Sequence, residues 1–256
     1  MRNITVKIAL MAVLTVLSVK YSASTSTPQG KVAMDSMTVA ELEKAGDLAR
    51  VQKDYDQAIR YFRAALRKDG KNSQLYNKLG MSELQNNDMN AAQQDFGQAI
   101  KYNRKSADAV SNLGAVYYQK KSYGSAAKYF KRAVALDETR AVFHINLGAA
   151  WFAQKKLEGA VAEYTRALEL DPYALQQDAR TGGVAQIAST EERARFSYML
   201  AKIYASHGDV ENCLQCLKKA KDEGYRNLAS VYKDEEFTRM REDPRLREIV
   251  PPPTPK

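Results

Sequence analysis

Cys213 and Cys216 are the only cysteines in the chain and form a Cys-x-x-Cys. That spacing suits thiol–disulfide chemistry, in which one sulfur attacks as the thiolate and the other resolves the mixed disulfide. Such a pair needs a lowered thiol pKa, which a helix N-terminus or a cation supplies. A helix start at Gly208-Asp209, about two turns away at most, and the nearby His207 could contribute. Three arguments favour packing instead. Cys213 falls in a helical core position, where a free cysteine behaves as a small apolar residue. No strand–helix pattern of the thioredoxin kind surrounds the pair. A disulfide between positions i and i+3 of one helix is geometrically poor.

The remaining candidates for chemistry are weaker. A structural zinc site takes about four ligands. The chain holds two histidines and two cysteines in all, with His144 far from the others in sequence. No Gly-x-Ser-x-Gly, phosphate loop or His-Glu-x-x-His occurs. The adjacent pairs Glu191-Glu192 and Glu235-Glu236 point apart on a helix and read as solvated charges. The expectation is a protein without catalysis, cofactor, metal or small-molecule substrate. A thiol redox protein using Cys213 and Cys216 is the alternative.

What must position these residues is a helical chain. Of 7 prolines in 256 residues, four (Pro251, Pro252, Pro253 and Pro255) lie in the last six positions, so the body has almost no helix breakers. Hydrophobic residues at 45% are enough for a core. The formal net charge of +9 is partly N-terminal, since Arg2, Lys7 and Lys20 fall in a stretch of 23 residues without an acid. The remaining excess is mild and forms no arginine-rich block, which argues against nucleic acid as a partner.

A repeat organises the middle of the chain. Gly46, Gly80, Gly114 and Gly148 are spaced by 34, as are Ala58, Ala92, Ala126 and Ala160. Phe62, Phe96, Phe130 and Tyr164 keep the register, and so do Ala65, Ala99, Ala133 and Ala167. Spacings of three and four put the alanines and the aromatic on one helix face. Small residues let two antiparallel helices approach, and the aromatic fills the space between units. One hairpin cannot bury its own apolar face, so neighbours must stack.

This 34-residue helix–turn–helix period resembles the tetratricopeptide repeat. The unit at 141–174 matches most fully, with Asn146-Leu147-Gly148, Trp151, Ala160, Tyr164, Ala167 and the closing Asp171-Pro172. The first three units have Gly70, Arg104 and Glu138 in place of that proline. The resemblance implies an all-α fold, a right-handed α-solenoid of helix–turn–helix hairpins with a C-terminal capping segment. Four units span 39–174, an irregular insertion 175–193 and a fifth, degenerate unit 194–227. In the fifth, Ala201 takes the glycine column and Cys213 an alanine column. Phe237, Met240, Leu246 and Ile249 mark a helical cap over 228–250, followed by a flexible tail over 251–256.

In this family the first helix of each hairpin lines a concave groove, which implies a protein or peptide partner. Carried over, the groove residues are Asn77, Met81 and Leu84 in the second unit. In the third they are Ser111, Asn112, Ala115 and Tyr118, and in the fourth Ile145, Asn146, Ala149 and Phe152. Asn112 and Asn146 are equivalent and could bond an extended backbone, or could bond within the repeats. Tyr118 and Phe152 could hold an apolar side chain. The lysine–asparagine pair of carboxylate-binding relatives is replaced by Glu43 and Asp47, so the first unit should suit a basic ligand end.

The N-terminus reads as an export signal. Two positive charges in Met1–Lys7 precede an uncharged, mostly apolar run over Ile8–Val19, followed by Ser22, Ala23 and Ser24. The run is shorter than the roughly 20 residues of a membrane span. The expectation is a signal peptide over 1–24, a flexible linker over 25–38 and a periplasmic or secreted protein. An uncleaved signal would give membrane contact, and a cytoplasmic adaptor is the further alternative.

Overall fold

The computed structural model describes residues 34–175 and 189–253. The proposed signal therefore lies outside the described residues, as do most of the linker and most of the 175–193 stretch. All regular structure among the described residues is helical. Ten helices form five hairpins: α1 (Val39–Val51) with α2 (Tyr55–Lys68), α3 (Ser73–Gln85) with α4 (Met89–Tyr102), and α5 (Ala107–Gln119) with α6 (Tyr123–Leu136). They continue with α7 (Ala141–Ala153) and α8 (Leu157–Leu170), then α9 (Thr190–Ser206) and α10 (Val210–Asp222). Two 3-10 helices, Leu228–Tyr232 and Glu235–Met240, and a short α11 (Pro244–Ile249) close the chain. The chain divides into two compact units, up to Asn112 and from Leu113 onward.

Local sequence sets the helix starts. Thr38 and Glu41 form a capping box at α1, each side chain bonding the other residue's backbone N–H. Asp54, Asp88 and Asp209 accept from the N–H three residues on, and Ser189 does the same for α9. Each such cap contributes about 1 kcal/mol. The turn inside each hairpin contains one left-handed residue: Lys53, Asn87, Lys121 and Lys155, with φ between 58° and 65° and a spacing of 34. In the fifth hairpin that place goes to Gly208 at φ 74°, where the absence of a Cβ removes the strain.

The glycine columns make the hairpins close-packed. A Cβ on Gly46 would lie 2.6 Å from the Phe62 ring, on Gly80 2.8 Å from Phe96, and on Gly114 2.7 Å from Phe130. At Gly148 the nearest atom of Tyr164 is 3.1 Å away. Phe62, Phe96 and Tyr164 are fully buried, each contributing roughly 1.5–3 kcal/mol of apolar burial.

In the first unit the core runs from Met34 through Phe62 to Leu79. Met34 belongs to the segment read as a linker, and that segment's end is tied down. Lys68 Nζ donates to Asp35 O at 2.7 Å and to Met37 O at 2.6 Å. In the second unit Ile145, Phe152, Tyr164, Phe196 and Tyr204 share a core with Val231, Phe237, Met240 and Leu246. The closing segment thus covers the apolar side of the fifth hairpin, which no further hairpin follows among the described residues.

Candidate functional site

In the first unit the residues carried over to the groove do come together. Asn77, Met81 and Leu84 lie at i, i+4 and i+7 of α3, all half-buried. Asn112 Nδ2 donates to Asn77 Oδ1 at 2.9 Å, across adjacent hairpins. Met81 Sδ lies 3.8 Å from Asn77 Nδ2 and 3.6 Å from Arg50 Nη1. One N–H of Asn112 is therefore spent inside the protein. An amide has two N–H groups and a two-lone-pair oxygen, so the pair keeps capacity for a ligand.

The acidic pair of the first hairpin is not open to a basic ligand end. Lys78, on α3, reaches back to bond Glu43 Oε1 at 2.7 Å and Asp47 Oδ2 at 2.5 Å. Arg50 adds a longer contact to Asp47 at 3.7 Å. The expectation of a free acidic subsite is corrected: the charge is met internally, by a lysine one repeat further along together with Arg50. Burial alone would lower the Lys78 pKa, but the hydrogen bonds and charges of Asp47 and Glu43 raise it above its ordinary value.

In the second unit Phe152 departs from its assigned place. It is buried and meets Phe196 of α9 edge to face, with ring centroids 5.0 Å apart. It packs the hairpin core rather than lining an open groove, because α9 lies over it. Ile145 is buried in the same core, and Ser111 in the first unit is buried too. Tyr118 is half-buried and stands edge-on to Tyr123 at 5.2 Å. Asn146 and Ala149 are half-buried on α7.

The thiol chemistry considered above meets an unfavourable setting. Cys213 is fully buried and Cys216 half-buried. Burial pushes both thiols up to about 12, with Asp209 adding to the rise at each. This is the opposite direction from an activated thiolate. His144 bonds Glu163 Oε2 through Nδ1 at 2.6 Å and Glu138 O through Nε2 at 3.1 Å, so both ring nitrogens are engaged. Among the described residues no group of three or more His, Cys, Asp or Glu side chains is placed to hold a metal ion. No helix among them is long and apolar enough to cross a membrane.

One charged cluster escaped the sequence reading. Glu83 on α3 is almost wholly buried and accepts from Arg63 Nη2 of α2 at 2.8 Å. Burial first, and then the neighbouring Asp95 of α4, raise its pKa to about 8, against the lowering effect of Arg63. The three residues come from three helices at unrelated repeat positions, so spacing carried no signal. Lys78 carried one, since it lies 35 and 31 residues from its two partners, one repeat away give or take a turn.

Comparison with known proteins agrees with this architecture. Tetratricopeptide repeat profiles match residues 43–92 and 77–141, 141–174, and 194–222, together more than half of the chain. There is no significant match among curated protein sequences. Among solved structures, MamA from Desulfovibrio magneticus RS-1 is similar with a TM-score of 0.52 and 17% identity, over 72% of this chain and 94% of that one. The thermophilic TPR protein TTC0263 of Thermus thermophilus gives a TM-score of 0.51 and 18% identity, over 77% and 97%. Another MamA structure gives 0.51 and 20%, over 77% and 95%. At these identities the likeness concerns the fold. The 34-residue period, the glycine–aromatic hairpins and the matching profiles together make this chain a member of the tetratricopeptide repeat family.

Proposed function

We propose that this protein is a non-catalytic interaction scaffold that binds a peptide or helix of a partner protein along the first helices of its hairpins. The observation that supports it most is the internal pairing of the first unit's two carboxylates, Glu43 and Asp47, with Lys78 and Arg50. With those charges met, the same side of α3 offers Met81, Leu84 and the Asn77–Asn112 amide pair. Apolar contact beside amide groups suits an uncharged stretch of extended backbone or the apolar face of a helix.

The test is a crosslinked pull-down from an extract of the native cell, comparing the wild type with Asn112→Ala, Met81→Glu. A partner enriched by the wild type and lost by the variant supports the groove. A partner held equally by both proteins removes the groove from the reading. Folding of the variant is checked by its helical circular dichroism.

We also propose that the protein acts outside the cytoplasm, in assembly of an envelope or secreted complex. The support is the charged, apolar, small-residue order of Met1–Ser24. Sequencing the N-terminus of protein isolated from its native cell tests this. A start just after Ala23 or Ser24 agrees, and an intact Met1 in the soluble cytosolic fraction rejects it.

A further inference from the structure

Three of the five hairpin turns end in an aspartate. Asp54, Asp88 and Asp209 each accept from a backbone N–H in the first turn of the helix that follows. The third and fourth hairpins break this pattern. Their turns read Lys120-Lys121-Ser122 and Lys155-Lys156, and neither Ser122 nor Lys156 makes a side-chain cap. Lysines beside a helix N-terminus oppose the helix dipole, so local helix stability does not account for them.

The two turns are neighbours within the second unit. Gln154 Nε2 donates to Tyr123 O at 3.0 Å, which holds the residue before Lys155 against the first turn of α6. Lys120, Lys121, Lys155 and Lys156 are all exposed. Positive charge is in local excess on this side of the second unit. Residues 113–136 hold five basic side chains and no acid, whereas the other described residues hold 28 basic against 29 acidic.

Two of the lysines help to line a partly apolar recess. A depression of about 530 Å³ is lined by Trp151, Lys155, Lys156, Leu157, Glu158 and Gly159. The Trp151 ring lies against Gly159, where a Cβ would come within 2.5 Å of Trp151 Cε3. Leu157 is 42% exposed. Glu158 is the one carboxylate of the lining, and it sits in the first turn of α8, where the helix dipole favours it.

We propose that this edge docks an acidic segment of a partner protein, with an apolar residue set among its aspartates and glutamates. The ammonium groups take the carboxylates, while Trp151 and Leu157 receive the apolar side chain. A recess receives a side chain, whereas insertion into a bilayer asks for a protruding one, so a protein segment fits better than a lipid surface. This surface is separate from the groove proposed above and does not rest on it.

The test is fluorescence anisotropy with the full chain and a labelled peptide of glutamates and aspartates around one leucine, at low salt. The variant Lys155→Glu, Lys156→Glu is compared with Lys218→Glu, Lys219→Glu, which makes the same charge change on the exposed side of α10. The milder Lys155→Ala, Lys156→Ala guards against misfolding. We expect wild-type binding, at least about tenfold weaker with the first variant and less than about twofold weaker with the second, as local charge steering requires. The alanine variant should lie between the wild type and the charge reversal. Replacing the peptide's leucine by serine should also weaken binding. Absence of wild-type binding, equal loss with both reversal variants, or no effect of the leucine overturns the proposal. So does tighter binding of phosphatidylglycerol vesicles with the same dependence on Lys155 and Lys156.

Discussion

Lys78 of the second hairpin lies 2.7 Å from Glu43 Oε1 of the first, and the same ammonium serves Asp47. Side chains of this group are 26–36% exposed, so the interaction is partly screened. The pair of bonds does two things at once. It ties α3 to α1, and together with Arg50 it offsets the negative charge that the sequence of the first hairpin offers.

Replacing Lys78 by methionine should therefore weaken the fold only modestly, by about 1 kcal/mol. It should also restore an acidic subsite. A cationic peptide that the wild type ignores should bind the variant, and lose that binding on the further change Glu43→Gln. Calorimetric titration with an arginine-rich peptide checks both steps. Equal affinity for wild type and variant would sink the neutralisation argument.

The glycine column makes a second prediction through paired substitutions. Gly80→Ala places a Cβ 2.8 Å from the ring of fully buried Phe96, so the ring or the helix must shift. A loss of about 1–3 kcal/mol is expected from overpacking. Gly97→Ala, inside α4 with nothing within 4 Å of the new Cβ, should instead stabilise by roughly 0.5–1 kcal/mol. Urea midpoints of the two variants should move in opposite directions.

Glu83 should make stability depend on pH. Its folded pKa is raised above the ordinary 4.5, toward about 8, by burial and by Asp95. The folded state then binds the proton more tightly than the unfolded state. This contribution is fully present below the unfolded value and falls as pH rises through the folded one. Glu83→Gln keeps the buried side chain neutral, so its stability should decline less between about pH 5 and 8 than that of the wild type. Urea denaturation across that range measures it, and parallel curves would remove Glu83 as the cause.

The thiols give a fourth prediction. With both held up at about 12, Cys213 and Cys216 carry little thiolate near neutral pH. Iodoacetamide should label the native protein much more slowly than the denatured protein. Fast labelling of native Cys216, with an inflection below pH 7, would revive a redox role.

The hairpins are legible in the sequence because each repeat states its own packing. Gly80 with Phe96, or Gly148 with Tyr164, lies within one hairpin, and a 34-residue period places both members in sequence. Which residues share a helix side was legible for the same reason, and Asn77, Met81 and Leu84 lie on one side of α3 as their spacing requires. The fate of individual groove positions was not. Phe152 and Tyr118 are equivalent in the repeat, yet Phe152 is buried under Phe196 while Tyr118 is half-buried.

What the sequence by itself determined is the period, the helix starts and the close-packed columns, because caps, turns and i to i+4 faces depend on neighbours along the chain. What only the tertiary structure decided is which polar groups remain available. Lys78 and Arg50 engage Glu43 and Asp47, Asn112 engages Asn77, and Arg63 and Asp95 converge on Glu83. These partners come from different helices, and their approach depends on how one hairpin stacks on the next, to within the few ångströms over which hydrogen bonds and charges act.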